Sequence, residues 1–289
     1  MEADTSAREP TITIGNQRLT ANGEPLPPHI AKLRIPPAWT DVTYSPDPNA
    51  VLLVVGKDAK GRRQYIYSGA HSAKQAAAKF ARIKELDRKY QAILTKNQKT
   101  RQSADSIAAA LADCAALIMS TGIRPGSDID TLAEKKAYGA TTLEGQHVIP
   151  TDDGVVLKFI GKKGVPLNIP ITDPDLVAML LRRKKMAGDT GRLFPIGPRQ
   201  LLDYVHQFGG GGFRTKDFRT LVGTRAAMAE VAKLPPPKTE REYKRDVLTV
   251  AKTVAAKLGN TPTVALQAYI NPVVFSGWRN ALSKVEKTA

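Results

Sequence analysis

Hydrophobic positions in the first third of the chain follow patterns that are typical of strands. The apolar run Val51-Leu52-Leu53-Val54-Val55 predicts a buried strand, and residues 56–61 form a turn-rich stretch after it. Gln64-Tyr65-Ile66-Tyr67 then predicts the returning strand. Residues 1–28 are polar and contain prolines, which indicates a loose lead-in. We therefore predict a small β-containing N-terminal domain over residues 29–95.

Helical periodicity dominates the rest of the chain. Ser72 is a candidate N-cap for a helix that runs to about Leu94. Residues 96–103 are polar and basic without apolar periodicity, so they are predicted to be an interdomain linker. Residues 104–289 then form a larger, mainly helical domain. Its helices are predicted at 104–120, 174–187, 198–207, 216–233, 239–258 and 262–269.

One segment of the helical domain breaks this pattern. The apolar stretches 155–160 and 165–169 flank Gly161-Lys162-Lys163-Gly164, which predicts a β-hairpin with a glycine-rich turn. The fold class expected from the whole pattern is α+β. It combines the small β-containing N-terminal domain with the larger helical domain and its hairpin.

The charge of the chain narrows the kind of partner. The 289 residues include 43 Lys and Arg against 27 Asp and Glu, a formal net charge of +16 that is spread along the sequence. Cations that neutralise phosphates release condensed counterions, so this excess favours nucleic acid as partner. A charge that serves only solubility, or binding to an acidic protein, is the alternative.

The cysteine count and the N-terminal sequence indicate the cellular compartment in which the protein is expected. The chain has one cysteine, Cys114, which rules out an intramolecular disulfide and fits a reducing compartment. Cys114 lies on an apolar helical stripe, so we interpret it as a buried structural thiol rather than a nucleophile. There is no signal peptide and no apolar run long enough for a membrane span, so a cytoplasmic protein is expected.

Several kinds of chemistry find no support in the sequence. The run Gly209 to Gly212 lacks the spacing of a dinucleotide site and the Lys-Ser/Thr of a P-loop. The histidines are scattered, and no His, Cys or carboxylate group has the spacing of metal ligands. We expect no nucleotide cofactor and no required metal. The four histidines are His29, His71, His147 and His206.

Five short stretches in the second half carry candidate chemistry in a fixed order. Arg124 follows a predicted helix, Lys162 lies in the hairpin turn, and Arg219 lies near the start of a helix. Asn260 precedes another helix, and Tyr269 ends it. With these flanks, the set resembles the catalytic residues of type IB DNA topoisomerases, particularly the compact bacterial and poxvirus-type group.

The N-terminal half extends this resemblance. Pro36-Pro37-Ala38-Trp39 and the stretch 61–67 are similar to the DNA-clamping domain of that family, and Tyr138-Gly139-Ala140-Thr141-Thr142-Leu143 also fits. The resemblance covers about residues 35–275. It implies the fold shared by tyrosine recombinases and type IB topoisomerases, and an enzyme that relaxes supercoiled duplex DNA without ATP.

The resemblance also implies a role for each residue. Tyr269 would attack a backbone phosphate and form a 3′-phosphotyrosyl bond. Arg124 and Arg219 would hold the non-bridging oxygens, and Lys162 would protonate the departing 5′ oxygen. Asn260 stands where the poxvirus members carry His, and would donate a hydrogen bond to a non-bridging oxygen.

General chemistry supports these residue types. Phosphoryl transfer spreads negative charge over the equatorial oxygens, which guanidinium groups are suited to hold. A phenol must lose its proton during attack, and a departing alkoxide needs an acid. Lys163 is the neighbour of Lys162, and only the family resemblance selects between them. Asn260 carries no proton, so we expect a modest loss relative to His if its role is hydrogen bonding.

Other residues are candidates for binding DNA. Arg63, Gln64, Tyr65 and Tyr67 follow a basic turn, and Gln and Tyr can contact base edges and phosphates. The alternative for the tyrosines is aromatic packing on a half-buried strand. Two further candidates are Lys163 and Lys216. A monomer whose two domains clamp double-stranded DNA, associated with the nucleoid, is the expected state.

Two other functions stay open at this point. A tyrosine recombinase uses a related catalytic set, but it typically has His-x-x-Arg before the second arginine. Here Lys216 occupies that His position. A non-catalytic DNA-binding protein would bind DNA without forming a covalent bond to it.

Overall fold

The computed structural model describes residues 7–131 and 136–288. The chain divides into two compact units between Phe80 and Ala81. The predicted N-terminal domain ended at residue 95 instead. Both positions lie inside one helix, Gly69–Arg101, which begins after the N-terminal sheet. The α+β class is confirmed, with strands in the first unit and mainly helices in the second.

The first unit is built on a five-stranded antiparallel sheet in the order β2-β1-β3-β4-β5. A short helix, α1, covers Pro28–Ala31. The small core comprises Ile30, Val42, Tyr44, Ala50, Leu53 and Val54. The strands are β1 (Glu9–Ile14), β2 (Gln17–Thr20), β3 (Thr40–Tyr44), β4 (Leu52–Lys57) and β5 (Arg63–Tyr67).

The predicted loose lead-in over residues 1–28 is wrong from Glu9 onwards. Strand β1 pairs with β2 from Thr11↔Thr20 to Ile14↔Gln17 and joins the main sheet through Glu9↔Tyr44. Most of its side chains are exposed, so the segment has the polar composition of a loop. The alternation Thr-Ile-Thr-Ile before a Gly-Asn turn was the available signal.

The predicted linker over residues 96–103 is also wrong, because helix α2 runs from Gly69 to Arg101. Asn97 is only 1 % exposed. Its Nδ2 donates to the Ala112 carbonyl at 2.9 Å, and its Oδ1 accepts from the Tyr204 hydroxyl at 2.8 Å. Polar side chains that are buried through hydrogen bonds leave no apolar periodicity, and the stretch therefore resembled a linker.

The second unit contains the remaining helices, and the six predicted ones are confirmed with closely similar bounds. Several begin at a side-chain cap: Asp105, Asp173, Thr239 and Thr261 each accept a hydrogen bond from a first-turn N–H. The helices are α3 (Ser106–Thr121), α4 (Asp128–Thr131), α5 (Pro174–Ala187), α6 (Pro198–His206), α7 (Thr215–Val231), α8 (Glu240–Leu258), α9 (Pro262–Ala268) and α10 (Ser276–Thr288).

The hairpin of the second unit is confirmed and belongs to a three-stranded sheet. Strands β7 (Gly154–Gly161) and β8 (Val165–Ile171) pair from Val155↔Ile171 to Gly161↔Val165. A third strand, β6 (Val148–Thr151), pairs with β7 on its other side and was missed. Its four residues are mostly exposed and show no alternation that would mark a strand.

Two hydrophobic clusters fill the second unit. The larger one joins α3, the sheet and α5–α6, and includes Cys114, which is fully buried as expected. Burial raises the pKa of the Cys114 thiol well above its ordinary value, which does not suit a nucleophile. The second cluster joins α8, α9 and the C-terminal segment. Helix α7 contributes Phe218 and Leu221 to the first cluster and Ala227 to the second.

A buried carboxylate joins three helices of this unit. Asp113 of α3 is fully buried and accepts from Arg101 of α2 at 2.8 Å. It also accepts from Arg182 and Arg183 of α5 at 2.7 and 2.9 Å. Because Arg101 and Arg183 are themselves largely buried, their charges depend on this carboxylate.

We expect Asp113→Asn to lower the free energy of unfolding by about 3–5 kcal/mol, because it leaves buried guanidinium groups without a counter-charge. Urea denaturation would measure the loss. The control is Asp203→Asn, which breaks the exposed Arg199–Asp203 pair and should cost below about 1 kcal/mol. Equal losses for the two variants would contradict this account of Asp113.

Candidate active site

Arg124 is placed by the end of helix α3. The helix stops at Gly122, which adopts a left-handed conformation (φ 68°) and donates its N–H to the Ile118 carbonyl at 2.8 Å. The chain then turns away from the helix and presents Arg124. The Arg124 Nη2 donates to Oδ1 of Asn260 at 2.9 Å. Two of the five predicted residues are therefore in direct contact.

Arg219 lies in α7 and is 5 % exposed. Its Nη1 donates to the Gly122 carbonyl at 2.5 Å, and its Nη2 donates to the Leu258 carbonyl. These carbonyls end α3 and α8, where the helix dipole concentrates partial negative charge. Burial, followed by the positive charge of Arg124, lowers the pKa of Arg219 from its ordinary value.

Asn260 is placed by the end of helix α8. Gly259 adopts a left-handed conformation (φ 59°), and the Asn260 N–H donates to the Ala255 carbonyl at 2.9 Å. This six-residue closure is the Schellman arrangement. The side chain then accepts from Arg124 through Oδ1. Among the described residues, its buried Nδ2 has no hydrogen-bond partner.

Tyr269 follows the last residue of α9 and is 7 % exposed. Its N–H donates to the Ala265 carbonyl at 3.0 Å, and its carbonyl accepts from the Thr224 hydroxyl at 3.1 Å. The Arg219 guanidinium carbon lies 4.9 Å from the centre of the Tyr269 ring, which is cation–π distance. The candidate nucleophile is thus held beside a candidate phosphate-binding arginine.

Gly223 is a supporting residue that the sequence analysis missed. A Cβ on Gly223 would lie 2.9 Å from the Tyr269 carbonyl oxygen and 3.1 Å from its Cβ. Helix α7 therefore approaches the backbone of Tyr269 through a position that has no side chain. A glycine inside an otherwise regular helix was the available signal, since such a residue weakens the helix unless packing requires it.

Lys162 and Lys163 form the turn between β7 and β8, and both are exposed. The end of β7 is held by the Tyr138 N–H, which donates to the Ile160 carbonyl at 2.7 Å. Lys162 lines a cavity of about 400 Å³ together with Tyr269, whereas Lys163 lines only the neighbouring cavity of about 930 Å³. The two lysines thus differ in the cavities that they line, and the choice of Lys162 as the acid, which the family resemblance made, stays a prediction.

The five predicted residues come together around these two cavities. Arg124 and Lys162 line both of them. Arg219, Tyr269 and the exposed Lys216 line the smaller cavity, while Asn260 lines the larger. The two remaining DNA-binding candidates of this unit, Lys163 and Lys216, therefore border the same groove as the catalytic candidates.

The smaller cavity is strongly cationic. Four of its described lining residues are Arg or Lys, and none of them is Asp or Glu. The carboxylate of Asp217, next to Lys216 in sequence, instead receives Arg82 Nε and Nη2, both at 2.9 Å. In addition, the buried Arg219 Nε has no partner within the described chain. Such a site is suited to an anion with several oxygen acceptors.

The DNA-binding candidates of the first unit lie on strand β5, at the edge of the sheet. Arg63, Tyr65 and Tyr67 lie on one face of the strand. The tyrosine rings are 6.3 Å apart and Tyr67 stacks on His71 at 5.1 Å, so aromatic packing is present, while both rings stay partly exposed. Gln64 faces the other way and donates to Asp58 Oδ2 at 2.8 Å. Its expected contact with base edges is not on the face of the tyrosines and stays a prediction.

Residues 7–131 and 136–288 contain neither a candidate metal site nor a candidate membrane span. Within them, no three His, Cys, Asp or Glu side chains are grouped as a metal ion would require. Nor does any helix there combine the length and apolar character needed to cross a membrane.

Comparison with known proteins agrees with this geometry. The family model described as eukaryotic DNA topoisomerase I, catalytic core, matches residues 68–287. The model for the N-terminal domain of bacterial DNA topoisomerase IB matches residues 27–58. DNA topoisomerase 1B of Acanthamoeba polyphaga mimivirus is 28 % identical over 261 residues, which cover 83 % of this chain and 76 % of the viral protein.

Two poxvirus proteins are similar to the same extent. DNA topoisomerase I of monkeypox virus is 28 % identical over 253 residues, covering 82 % of this chain and 76 % of its own. DNA topoisomerase 1B of vaccinia virus (strain Copenhagen) gives the same identity and coverage. Since the catalytic-core model spans most of the sequence, the chain belongs to the type IB DNA topoisomerase family.

Proposed function

We propose that this topoisomerase relaxes supercoiled duplex DNA through a transient covalent bond between Tyr269 and one strand. The observation that carries the assignment is a pair of buried donors, Arg219 Nε and Asn260 Nδ2, which have no partner in the described chain. They border cavities that also receive Arg124, Lys162 and Tyr269. Buried donors require acceptors, and the non-bridging oxygens of a phosphate would supply them.

Cleavage would proceed by displacement at phosphorus. The Tyr269 hydroxyl releases its proton to solvent as its Oη forms a bond to phosphorus. The bond from phosphorus to the 5′ oxygen breaks, that oxygen takes up a proton, and the 3′ phosphate stays attached to the enzyme. The guanidinium of Arg219 beside the ring favours the negative charge that develops on the phenol oxygen. The phosphotyrosyl bond retains the energy of the broken strand, so resealing needs no ATP.

Arg124, Arg219 and Asn260 would share the non-bridging oxygens. Each terminal nitrogen of Arg219 uses one N–H on a backbone carbonyl, while its buried Nε has no partner in the described chain and is available to donate to the phosphate. The Asn260 amide can donate through Nδ2 while its Oδ1 holds Arg124. Donors that are fixed before the substrate arrives stabilise the charged transition state without reorganisation.

Lys162 would protonate the 5′ oxygen as it leaves, because an alkoxide is too basic to depart unaided. Its place beside Tyr269 in the smaller cavity favours it over Lys163. Lys216, in the first turn of α7, would contact an adjacent phosphate. The family match favours a topoisomerase over a tyrosine recombinase, in which the Lys216 position typically holds His.

We propose that a single copy of the protein suffices, since one tyrosine and one broken strand allow swivelling. The exposed face of Arg63, Tyr65 and Tyr67 would bind duplex DNA. The positive charge of the chain supports binding to the DNA of a nucleoid.

The first prediction for the proposed reaction concerns the nucleophile. Tyr269→Phe should abolish relaxation of supercoiled plasmid and the protein–DNA adduct trapped in denaturant, because the attacking oxygen is gone. Binding to duplex DNA should be retained. The assay uses sub-stoichiometric wild-type protein with EDTA and without ATP as reference. An adduct formed by Tyr269→Phe would refute the assignment, and relaxation that requires ATP or magnesium would refute the proposed energetics.

The second prediction separates the two lysines of the hairpin turn. Lys162→Ala should slow single-turnover cleavage by about 10²–10⁴-fold, the usual contribution of a general acid. Lys163→Ala, the matched control, should change the rate by less than about tenfold, as expected for loss of one phosphate contact. The opposite ranking of the two variants would assign the acid to Lys163.

The third prediction concerns Asn260. Asn260→Ala should reduce the cleavage rate about tenfold, because it removes one neutral hydrogen bond worth about 1–2 kcal/mol. Asn260→His should cleave at a rate within about tenfold of the wild type, because His supplies a comparable donor. An increase of several orders of magnitude in Asn260→His would show that this position transfers a proton.

A further inference from the structure

Two glycines of the second unit each precede a residue of the candidate site, and one leucine packs against both. Gly161 comes before Lys162, and Gly259 comes before Asn260. A Cβ on Gly161 would lie 2.8 Å from Cδ1 of Leu167, and a Cβ on Gly259 would overlap its Cδ2. The two methyl groups of Leu167 therefore occupy space that any other residue at these positions would fill.

We propose that Leu167 is a positioning residue that fixes the Lys162 turn against the loop that carries Asn260. The proposal rests on the proposed function, in which Lys162 delivers a proton to the leaving oxygen. Leu167 itself has no group that reacts with DNA. Its contribution would be to keep two separately built segments of the site, a hairpin turn and a helix end, in register.

The local structure explains why such a contact is needed. Lys162 lies on an exposed turn, and the next residue, Lys163, has a left-handed backbone (φ 65°). Leu167 is half-buried in β8 and pairs with Phe159, whose side chain is in the larger hydrophobic cluster. The leucine thus joins the exposed end of the hairpin to a rigid part of the fold.

The Gly259 side of the contact is rigid as well. The backbone of Gly259 is the left-handed cap of α8, closed by the hydrogen bond from Asn260 to Ala255. Leu258, directly before it, accepts from Arg219. A shift of Leu167 would therefore move Lys162 relative to the arginines and Asn260, while Tyr269 is held by other contacts, from Gly223 and Thr224.

Because Lys162 depends on Leu167 and Tyr269 does not, the role of Leu167 can be measured. If Leu167 acts through Lys162, its loss should impair protonation of the leaving oxygen and little else. A substrate whose 5′ bridging oxygen is replaced by sulfur needs no acid, because a thiol has a pKa of about 8.5, far below that of an alcohol. Cleavage of the sulfur substrate should therefore not depend on Leu167.

The experiment is single-turnover cleavage of matched oxygen and sulfur duplexes by the full-length protein. Leu167→Ala should cleave the oxygen duplex about 10–100-fold more slowly than the wild type, the cost of a displacement of roughly 1 Å. On the sulfur duplex it should regain a rate close to that of the wild type. An equal defect of Leu167→Ala on both duplexes would overturn the proposal.

The control variant is Ile169→Ala, which removes the same number of carbons from the same face of β8, one pair of residues further from Lys162. It should show no preference for the sulfur duplex. In the Lys162→Ala background, Leu167→Ala should cause no further loss, because its effect already passes through the lysine. Additive losses in the double variant would also count against the proposal.

Gly161→Ala provides a second route should Leu167→Ala fold poorly. The extended backbone of Gly161 (φ −90°, ψ −174°) accepts alanine, so the added Cβ mainly displaces Leu167. The variant should show the same defect, rescued by sulfur, and a wild-type rate on the oxygen duplex would refute the contact. If sulfur fails to rescue Lys162→Ala itself, the acid role of Lys162 is wrong, which is a different outcome from failure of the Leu167 proposal.

Discussion

The arrangement of the site depends on one side chain, Arg219, and on the two helix ends to which it binds. Its guanidinium joins the carbonyl of Gly122, the cap of α3, to the carbonyl of Leu258, the last residue of α8. Arg124 and Asn260 follow these two helix ends. Three segments that are distant in sequence are thereby fixed around one planar group. The partial negative charge of these carbonyls stabilises the buried guanidinium. The charged group can therefore stay in place in the site before any phosphate binds.

Helix ends are the common device by which this fold places reactive groups. Gly122 and Gly259 close their helices with a left-handed residue, and the functional side chain follows within one or two positions. Tyr269 also follows a helix, the short α9, but it is itself the cap of that helix and no left-handed residue precedes it. At a helix end the backbone is held in a defined position and the side chain can reach a groove. A side chain in the middle of a buried helix cannot reach one. Helix α7, shared by both hydrophobic clusters, holds these ends together.

Much of this organisation could be predicted from the sequence, because apolar periodicity and caps determine where α3 and α5–α9 begin and end. The family resemblance supplied the five site residues, which the structure brings to one groove. The buried part of α2 could not be predicted, since Asn97 is polar and its partners are distant in sequence. The contacts of Leu167 and Gly223 could not be predicted either. Each depends on a glycine that has no side chain where another part of the chain comes close.

The orientation of β5 shows a further limit. Alternation correctly placed Tyr65 and Tyr67 on one face, but it also places Gln64 on the other. The partner that occupies Gln64 is Asp58, in the preceding turn. Three-dimensional geometry decides which polar residues of a turn form hydrogen bonds with one another. Candidate DNA contacts that are chosen by residue type alone therefore include some, such as Gln64, that are already paired within the protein.

The attachment of Tyr269 has a mechanical consequence. In the proposed covalent intermediate, torque in the rotating duplex would pull on the Tyr269 side chain and pass to the main chain. That main chain is secured on α7 by the Thr224 hydroxyl, and Trp278 packs against Phe275 a few residues further on. In the proposed intermediate, the DNA end would therefore be anchored at a main-chain position that α7 holds through Thr224 and that the Phe275–Trp278 contact follows along the chain.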